Sequence, residues 1–203
     1  MQSICVFCGS NTGASAVYAE ATRALAGALA RAGLKLVYGG GSIGLMGVLA
    51  DAALAAGVEV TGVAPRRLLE REVVHRNLTA LHIVESMHER KAKMADLSDA
   101  FIGLPGGYGT LDELFEALTW TQLGYHRKPC GLLNVGRYFE RLVDYLDHAV
   151  TERFLAREHR DMLLIEDDPD GLIARLRSAR PPQVTKWIEI GRASCRERVY
   201  VLV

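Results

Sequence analysis

Short apolar runs alternate along the chain with longer stretches whose apolar positions recur at helical spacing. The first run, Ser3-Ile4-Cys5-Val6-Phe7-Cys8, ends in Gly9-Ser10-Asn11-Thr12-Gly13. A helical pattern follows over about 16–32, with Leu25, Leu29 and several alanines on one face, and Gly33 stops it. Leu34-Lys35-Leu36-Val37-Tyr38 reads as a second strand and leads into a glycine-rich turn, 39–47. A helix over about 45–56 closes at Gly57, and 58–63 is the third strand. A basic, irregular segment then runs from Pro65-Arg66-Arg67 to Asn77. Leu81-His82-Ile83-Val84 marks a fourth strand, and Ser86-x-x-Glu89 has the spacing of a capping box opening a helix over 87–94. Ala100-Phe101-Ile102-Gly103-Leu104 is the fifth strand, and its helix ends near Leu123, before Gly124. A sixth strand (128–135), a helix (about 138–150), a seventh strand (162–165) and a helix opened by Asp168-Pro169 complete the pattern, which Pro181-Pro182 ends.

Repeated β-α-β with apolar strands predicts a Rossmann-like, doubly wound α/β fold: a mostly parallel sheet of about seven strands with helices on both faces. At 203 residues, nearly half of them apolar, the chain fits one domain over 1–182. Residues 183–203 form a C-terminal extension, and 191–203, beyond the Pro-Pro stop, read as a tail from cloning or read-through. Right-handed crossovers put the carboxyl ends of the strands on one edge. Three of those ends carry glycine clusters, at 9–13, 39–47 and 106–109, so the three are expected to meet in one crevice.

The turn after the fifth strand is Pro105-Gly106-Gly107-Tyr108-Gly109-Thr110-Leu111-Asp112-Glu113. A glycine turn between strand and helix leaves backbone N–H groups free at a helix N-terminus, which suits phosphate. Thr110 can cap that helix, and Thr110-x-x-Glu113 is also a capping box, so Glu113 reads equally as cap and as catalytic carboxylate. Three glycines and a proline in one turn favour chemistry. Arg90 and Lys91 sit early in their helix, where the dipole disfavours cations, and Met87 lies three residues before Arg90 on the same face. A guanidinium beside a thioether suits a flat polar ring such as a purine.

Other motifs weigh less. Gly39-x-Gly41-x-x-Gly44 matches a dinucleotide fingerprint, but the third strand ends in Val63-Ala64-Pro65-Arg66-Arg67 instead of an acid, which leaves only a weak NADP alternative. Gly40-x-Ser42-x-Gly44 matches a nucleophile elbow, with Asp147 and His148 as unsupported triad partners. Cys5-x-x-Cys8 lies in a strand, where residues three apart face opposite ways, and no second pair completes a metal site. No metal is called for. Zero net charge argues against nucleic acid and anionic membranes as partners. No apolar run is long enough to span a bilayer, and the absence of a signal-peptide pattern gives a cytoplasmic expectation.

Taken together, Met87-His88-Glu89-Arg90-Lys91 and the 105–113 turn resemble the LOG (Lonely Guy) family, whose hallmark is PGGxGTxxE with an upstream RK pair. The resemblance covers about 1–180 and includes Cys8-Gly9-Ser10, the turn 38–47 and Trp120-x-Gln122-Leu123-Gly124. It implies a phosphoribohydrolase that cuts the N-glycosidic bond of nucleoside 5′-monophosphates, cytokinin nucleotides and AMP among them, into base and ribose 5-phosphate. It implies a homodimer and no cofactor. Catalysis carries onto Arg90 and Glu113. Substrate contacts carry onto Glu72, Arg90, Lys91, Gly106, Gly107, Tyr108, Gly109, Thr110, Leu111 and Asp112, where Asp112 stands in place of the glutamate usual in plant members. The converging turns add Gly9, Ser10, Gly40 and Gly41 to the phosphate side, and Met87 to the base side. Some relatives carry an old lysine-decarboxylase label, but nothing in the sequence marks a Schiff-base lysine. The alternatives from other classes are a non-catalytic nucleotide or cofactor carrier and, less well supported, an NADP-dependent oxidoreductase.

Overall fold

The computed structural model describes residues 1–69 and 74–180. Glu72 and the extension 183–203, with its tail 191–203, lie outside the described residues. The strands are β1 (Ser3–Phe7), β2 (Lys35–Tyr38), β3 (Val60–Pro65), β4 (Ala80–Val84), β5 (Ala100–Gly103), β6 (Cys130–Leu133) and β7 (Leu163–Glu166). Between them run α1 (Ala16–Arg31), α2 (Gly44–Ala55), α3 (Arg66–Leu69), α4 (Met87–Asp96), α5 (Tyr108–Gln122), α6 (Glu140–Thr151) and α7 (Arg157–Arg160), and α8 (Pro169–Ser178) follows β7. All strand pairings are parallel, in the order β4-β3-β2-β1-β5-β6-β7. The chain thus starts at the centre, winds outward to β4, and returns beside β1 to build the other half. Rossmann-like winding and the strand count agree with the expectation.

Strand side chains alternate between two apolar layers, as a pleat with a period of two requires. Ile4, Val6 and Leu36 pack with Leu25 and Leu29 of α1, Leu49 of α2 and Leu172 of α8. Cys5, Val37 and Phe101 pack on the other face with Met94 of α4, Leu114 of α5 and Leu146 of α6. Cys5 and Cys8 fall in opposite layers, buried and unpaired, so they form no metal or redox pair. Among the described residues no helix is long and apolar enough to cross a membrane.

The predicted helix stops hold for a common reason. Gly33, Gly57 and Gly124 each take a positive φ just past a helix. The N–H of the next residue reaches back to the carbonyl of Leu29, Ala53 or Trp120, which closes a Schellman motif. The short α3, α7 and the 3₁₀ turn Val135–Arg137 have no readable periodicity and went unpredicted. β3 runs two residues further than expected, to Pro65, so the segment read as irregular begins inside the sheet.

Candidate active site

The switch point lies between β1 and β5, and the three glycine turns meet there. Gly9 N–H donates to the Pro105 carbonyl at 3.0 Å, and Leu45 N–H donates to the Gly9 carbonyl at 3.0 Å. Gly44 lies so close to the Ser10 backbone that a Cβ would sit 2.2 Å from the Ser10 carbonyl carbon. Gly106 is as crowded: a Cβ there would fall 2.1 Å from Thr110 Oγ1 and 2.9 Å from Gly9 N. A side chain is excluded at Gly44 by main chain, and at Gly106 by the Thr110 side chain and the Gly9 backbone. The result is a cleft of about 250 Å³ bordered by Gly9, Ser10, Leu45, Gly106, Gly107 and Tyr138.

α5 begins at Tyr108, with Gly107 at its N-cap and no side-chain cap bond. Thr110 is therefore the third residue of the helix, buried, and not its cap. The capping-box reading of Glu113 falls with it. Glu113 lies about one turn further into α5, and its carboxylate accepts a hydrogen bond from Arg90 Nη1. Both side chains are mostly buried, at 7% and 11% exposure, so this is an ion pair in a largely desolvated setting. Arg90 Nε also donates to the Val63 carbonyl at the end of β3, 3.0 Å away. The arginine ties β3 to α5 across the switch point.

The other predicted capping box forms in half, with the glutamate shifted by one residue. Ser86 Oγ accepts from Glu89 N–H at 3.1 Å, and Glu89 Oε2 accepts from Glu85 N–H at 2.8 Å, one residue before the cap. This fixes the start of α4 and thereby the reach of Arg90. Met87, at the first position of α4, is half exposed while Arg90 is buried, so the two share no environment. The thioether beside the guanidinium belongs to Met46: a Cβ on Gly39 would fall 1.9 Å from Arg90 Nη2 and 3.5 Å from Met46 Sδ. Gly39 leaves the space that Arg90 fills. Gly39→Ala is expected to displace the guanidinium and lower kcat/KM by at least about tenfold, a barrier change near 1.4 kcal/mol, together with a lower thermal midpoint because the buried pair with Glu113 is disturbed.

Burial pushes the Glu113 carboxyl above the ordinary glutamate value, against the opposing pull of Arg90; the Asp112 charge adds to the rise. Lys91 donates to Asp112 Oδ2 at 3.1 Å and pairs with Glu116 Oε2 at 2.9 Å. Burial works to lower the Lys91 pKa, but the bonds to Glu116 and Asp112 outweigh it and hold the ammonium above its usual range. Arg90–Glu113, Lys91–Asp112 and Lys91–Glu116 thus form three cross-links between α4 and α5. Gly40 and Gly41 are held from a separate segment: Gly40 O accepts from His75 N–H at 2.9 Å, and Gly41 bridges Val74. The His75 ring in turn meets Asp51 of α2 at 3.0 Å. Tyr108 and Asp112 are exposed, and Gly109 has open space at its Cβ position. Leu111 packs partly against the core shared by α4, α5 and α6.

Two weaker motifs lose their partners. Arg66 is engaged by Glu85 at 2.9 Å. Asp147 binds Arg160 at 3.0 Å on α6, which covers the face of the sheet opposite α2, the helix that Ser42 precedes. Among the described residues no cluster of His, Cys, Asp or Glu has metal-holding geometry. Sequence reading missed Gly39, Met46, His75, Glu116 and Tyr138; four of these act through main chain or through a different helix, which leaves no spacing to read.

Winding, switch-point cleft and strand order define a Rossmann-like α/β protein. Solved structures of the same fold include the molybdenum cofactor binding protein of Rippkaea orientalis, with a TM-score of 0.67 and 21% identity over 88% of this chain and 97% of that one. That likeness concerns the fold alone. The family described as "possible lysine decarboxylase" matches residues 46–176. A cytokinin riboside 5′-monophosphate phosphoribohydrolase of Rhodococcoides fascians is 47% identical over 178 residues, covering 87% of this chain and 90% of that protein. The Arabidopsis thaliana enzyme of that name, LOG7, is 44% identical over 196 residues, covering 94% and 90%. The chain belongs to this family, the LOG phosphoribohydrolases.

Proposed function

We propose that the protein hydrolyses the N-glycosidic bond of nucleoside 5′-monophosphates, cytokinin riboside 5′-monophosphates or AMP, to free base and ribose 5-phosphate. The observation that carries this reading is the buried Arg90–Glu113 pair one helical turn inside a glycine-turn helix N-terminus. N–H groups of the 106–110 turn anchor the 5′-phosphate, with help from Gly9, Ser10, Gly40 and Gly41. Cleavage of the C1′–N bond develops positive charge on the ribose. The Glu113 carboxylate stabilises that charge and takes a proton from the attacking water, whose oxygen bonds C1′. The base leaves with the bonding pair and gains one proton from solvent, and Glu113 returns its proton to solvent, so that one water is consumed. Arg90 holds the carboxylate in place and, with Lys91 and Glu72, orients the nucleotide.

Incubation with AMP and with an N6-prenyladenosine 5′-monophosphate, followed by chromatography, tests the reading: free base and ribose 5-phosphate should appear in equal amounts from at least one of them, and both nucleotides left intact would favour a carrier. A panel of nucleoside monophosphates identifies the base. The reading includes a cytoplasmic homodimer; light scattering on the purified protein checks the dimer, and cell fractionation checks the location. The lysine-decarboxylase description finds no support at Lys91, since a Schiff-base lysine needs an uncharged amine and Lys91 is held protonated.

The raised Glu113 pKa sets a pH signature. Activity needs the carboxylate, and burial makes protonation set in at higher pH than for a solvated glutamate. The acid limb of kcat/KM against pH is therefore expected above the ordinary glutamate range. A limb at or below that range would remove Glu113 from the role.

A further inference from the structure

We propose that Tyr138 is a positioning residue that makes the reaction demand a 5′-phosphate, by locking one peptide plane of the glycine turn. This rests on the nucleotide reading of the cleft. Tyr138 O–H donates to the Gly106 carbonyl at 2.6 Å, a short bond between residues with no sequence proximity. Tyr138 also borders the cleft beside Gly9, Ser10 and Gly107.

The bond controls more than one carbonyl. The peptide is planar and trans, so the Gly106 C=O and the Gly107 N–H point in opposite directions. Turning the carbonyl to Tyr138 sends the N–H the other way and keeps the oxygen off an incoming anion. This peptide has glycine on both sides, so no Cβ resists its rotation. If it flipped, a carbonyl dipole would replace an amide donor beside the phosphate. Tyr138 supplies the restraint that the glycines lack.

The surrounding chain is built to deliver this hydroxyl. Gly136 and Arg137 both take positive φ, at 56° and 60°, and a left-handed arginine is costly. Asn134 closes the turn, its Oδ1 accepting from Phe139 N–H at 2.8 Å while its N–H donates to the Glu166 carbonyl at 2.7 Å. The Tyr138 ring packs edge-on against Tyr18, at 5.7 Å between centroids, and against Phe139, at 4.9 Å. Ring contacts hold the side chain, and the hydroxyl is left for Gly106.

Tyr138→Phe keeps the ring contacts and removes only the hydroxyl. The wild type and this variant are compared for kcat/KM on AMP and on adenosine, for inorganic phosphate binding by calorimetry, and for thermal midpoint. The expected result is that the AMP-to-adenosine ratio falls roughly tenfold, the scale of one hydrogen bond to a charged-ligand site, with phosphate binding weakened alongside. Adenosine turnover falls less than AMP turnover, and the thermal midpoint stays close to wild type. An unchanged ratio with unchanged phosphate binding overturns the proposal, as does an equal loss on both substrates. A wild type that cleaves neither AMP nor an N6-prenyladenosine 5′-monophosphate refutes the nucleotide-cleaving reading separately, and the phosphate comparison then still decides the role of Tyr138.

Discussion

Glu113→Gln is expected to bind AMP nearly as the wild type does and to lose turnover, with kcat reduced about 10²–10⁴-fold, the range for removing a positioned general base. Glutamine keeps an oxygen to accept from Arg90 Nη1, so the α4–α5 link survives while the negative charge is lost. Under the proposed mechanism that charge is what the developing cation and the attacking water need. The result is read as a fall in kcat with little change in nucleotide affinity by calorimetry. Near-wild-type turnover would reduce Glu113 to an anchor for Arg90.

Arg90→Ala should cost both activity and stability. It leaves the Glu113 carboxylate buried without its cation and the Val63 carbonyl without its donor. Removing one partner of a buried pair destabilises by about 3–5 kcal/mol. Loss of the cation also removes the influence that opposes burial at Glu113, so more of the carboxyl becomes protonated. Denaturant unfolding and AMP turnover should both fall. Arg90→Lys separates the two effects: it keeps a charge near Glu113 but cannot bond Glu113 and Val63 O together with a planar fork. It should recover stability better than activity. Unchanged kinetics in Arg90→Ala would make the arginine purely structural.

The fold was legible because its signals are local. Each strand is a short apolar run, and the glycines after α1, α2 and α5 mark their own helix ends through a backbone conformation that suits them alone. The site was legible in its residues more than in its contacts. The 105–113 turn and the Arg90-Lys91 pair announce themselves, yet nothing local says that Arg90 reaches Glu113. Thr110-x-x-Glu113 has the form of a capping box, and it misled because the true cap, Gly107, has no side chain to show. Met87 sat at the right spacing from Arg90, but the neighbouring thioether comes from Met46, on another helix. His75 and Tyr138 meet the glycine turns through backbone carbonyls, and a main-chain partner carries no residue identity.

The winding order also has a bearing on biosynthesis. β1 is central in the finished sheet, with β2 on one side and β5 on the other, where Ile4 lies opposite Ala100. During translation β2 and β3 can add to it early, while its second edge waits for residues that emerge much later. A nascent chain therefore carries an open, apolar strand edge at its very centre for much of its synthesis, a template for unwanted pairing. Folding yield should therefore respond to chaperones more than the finished stability suggests.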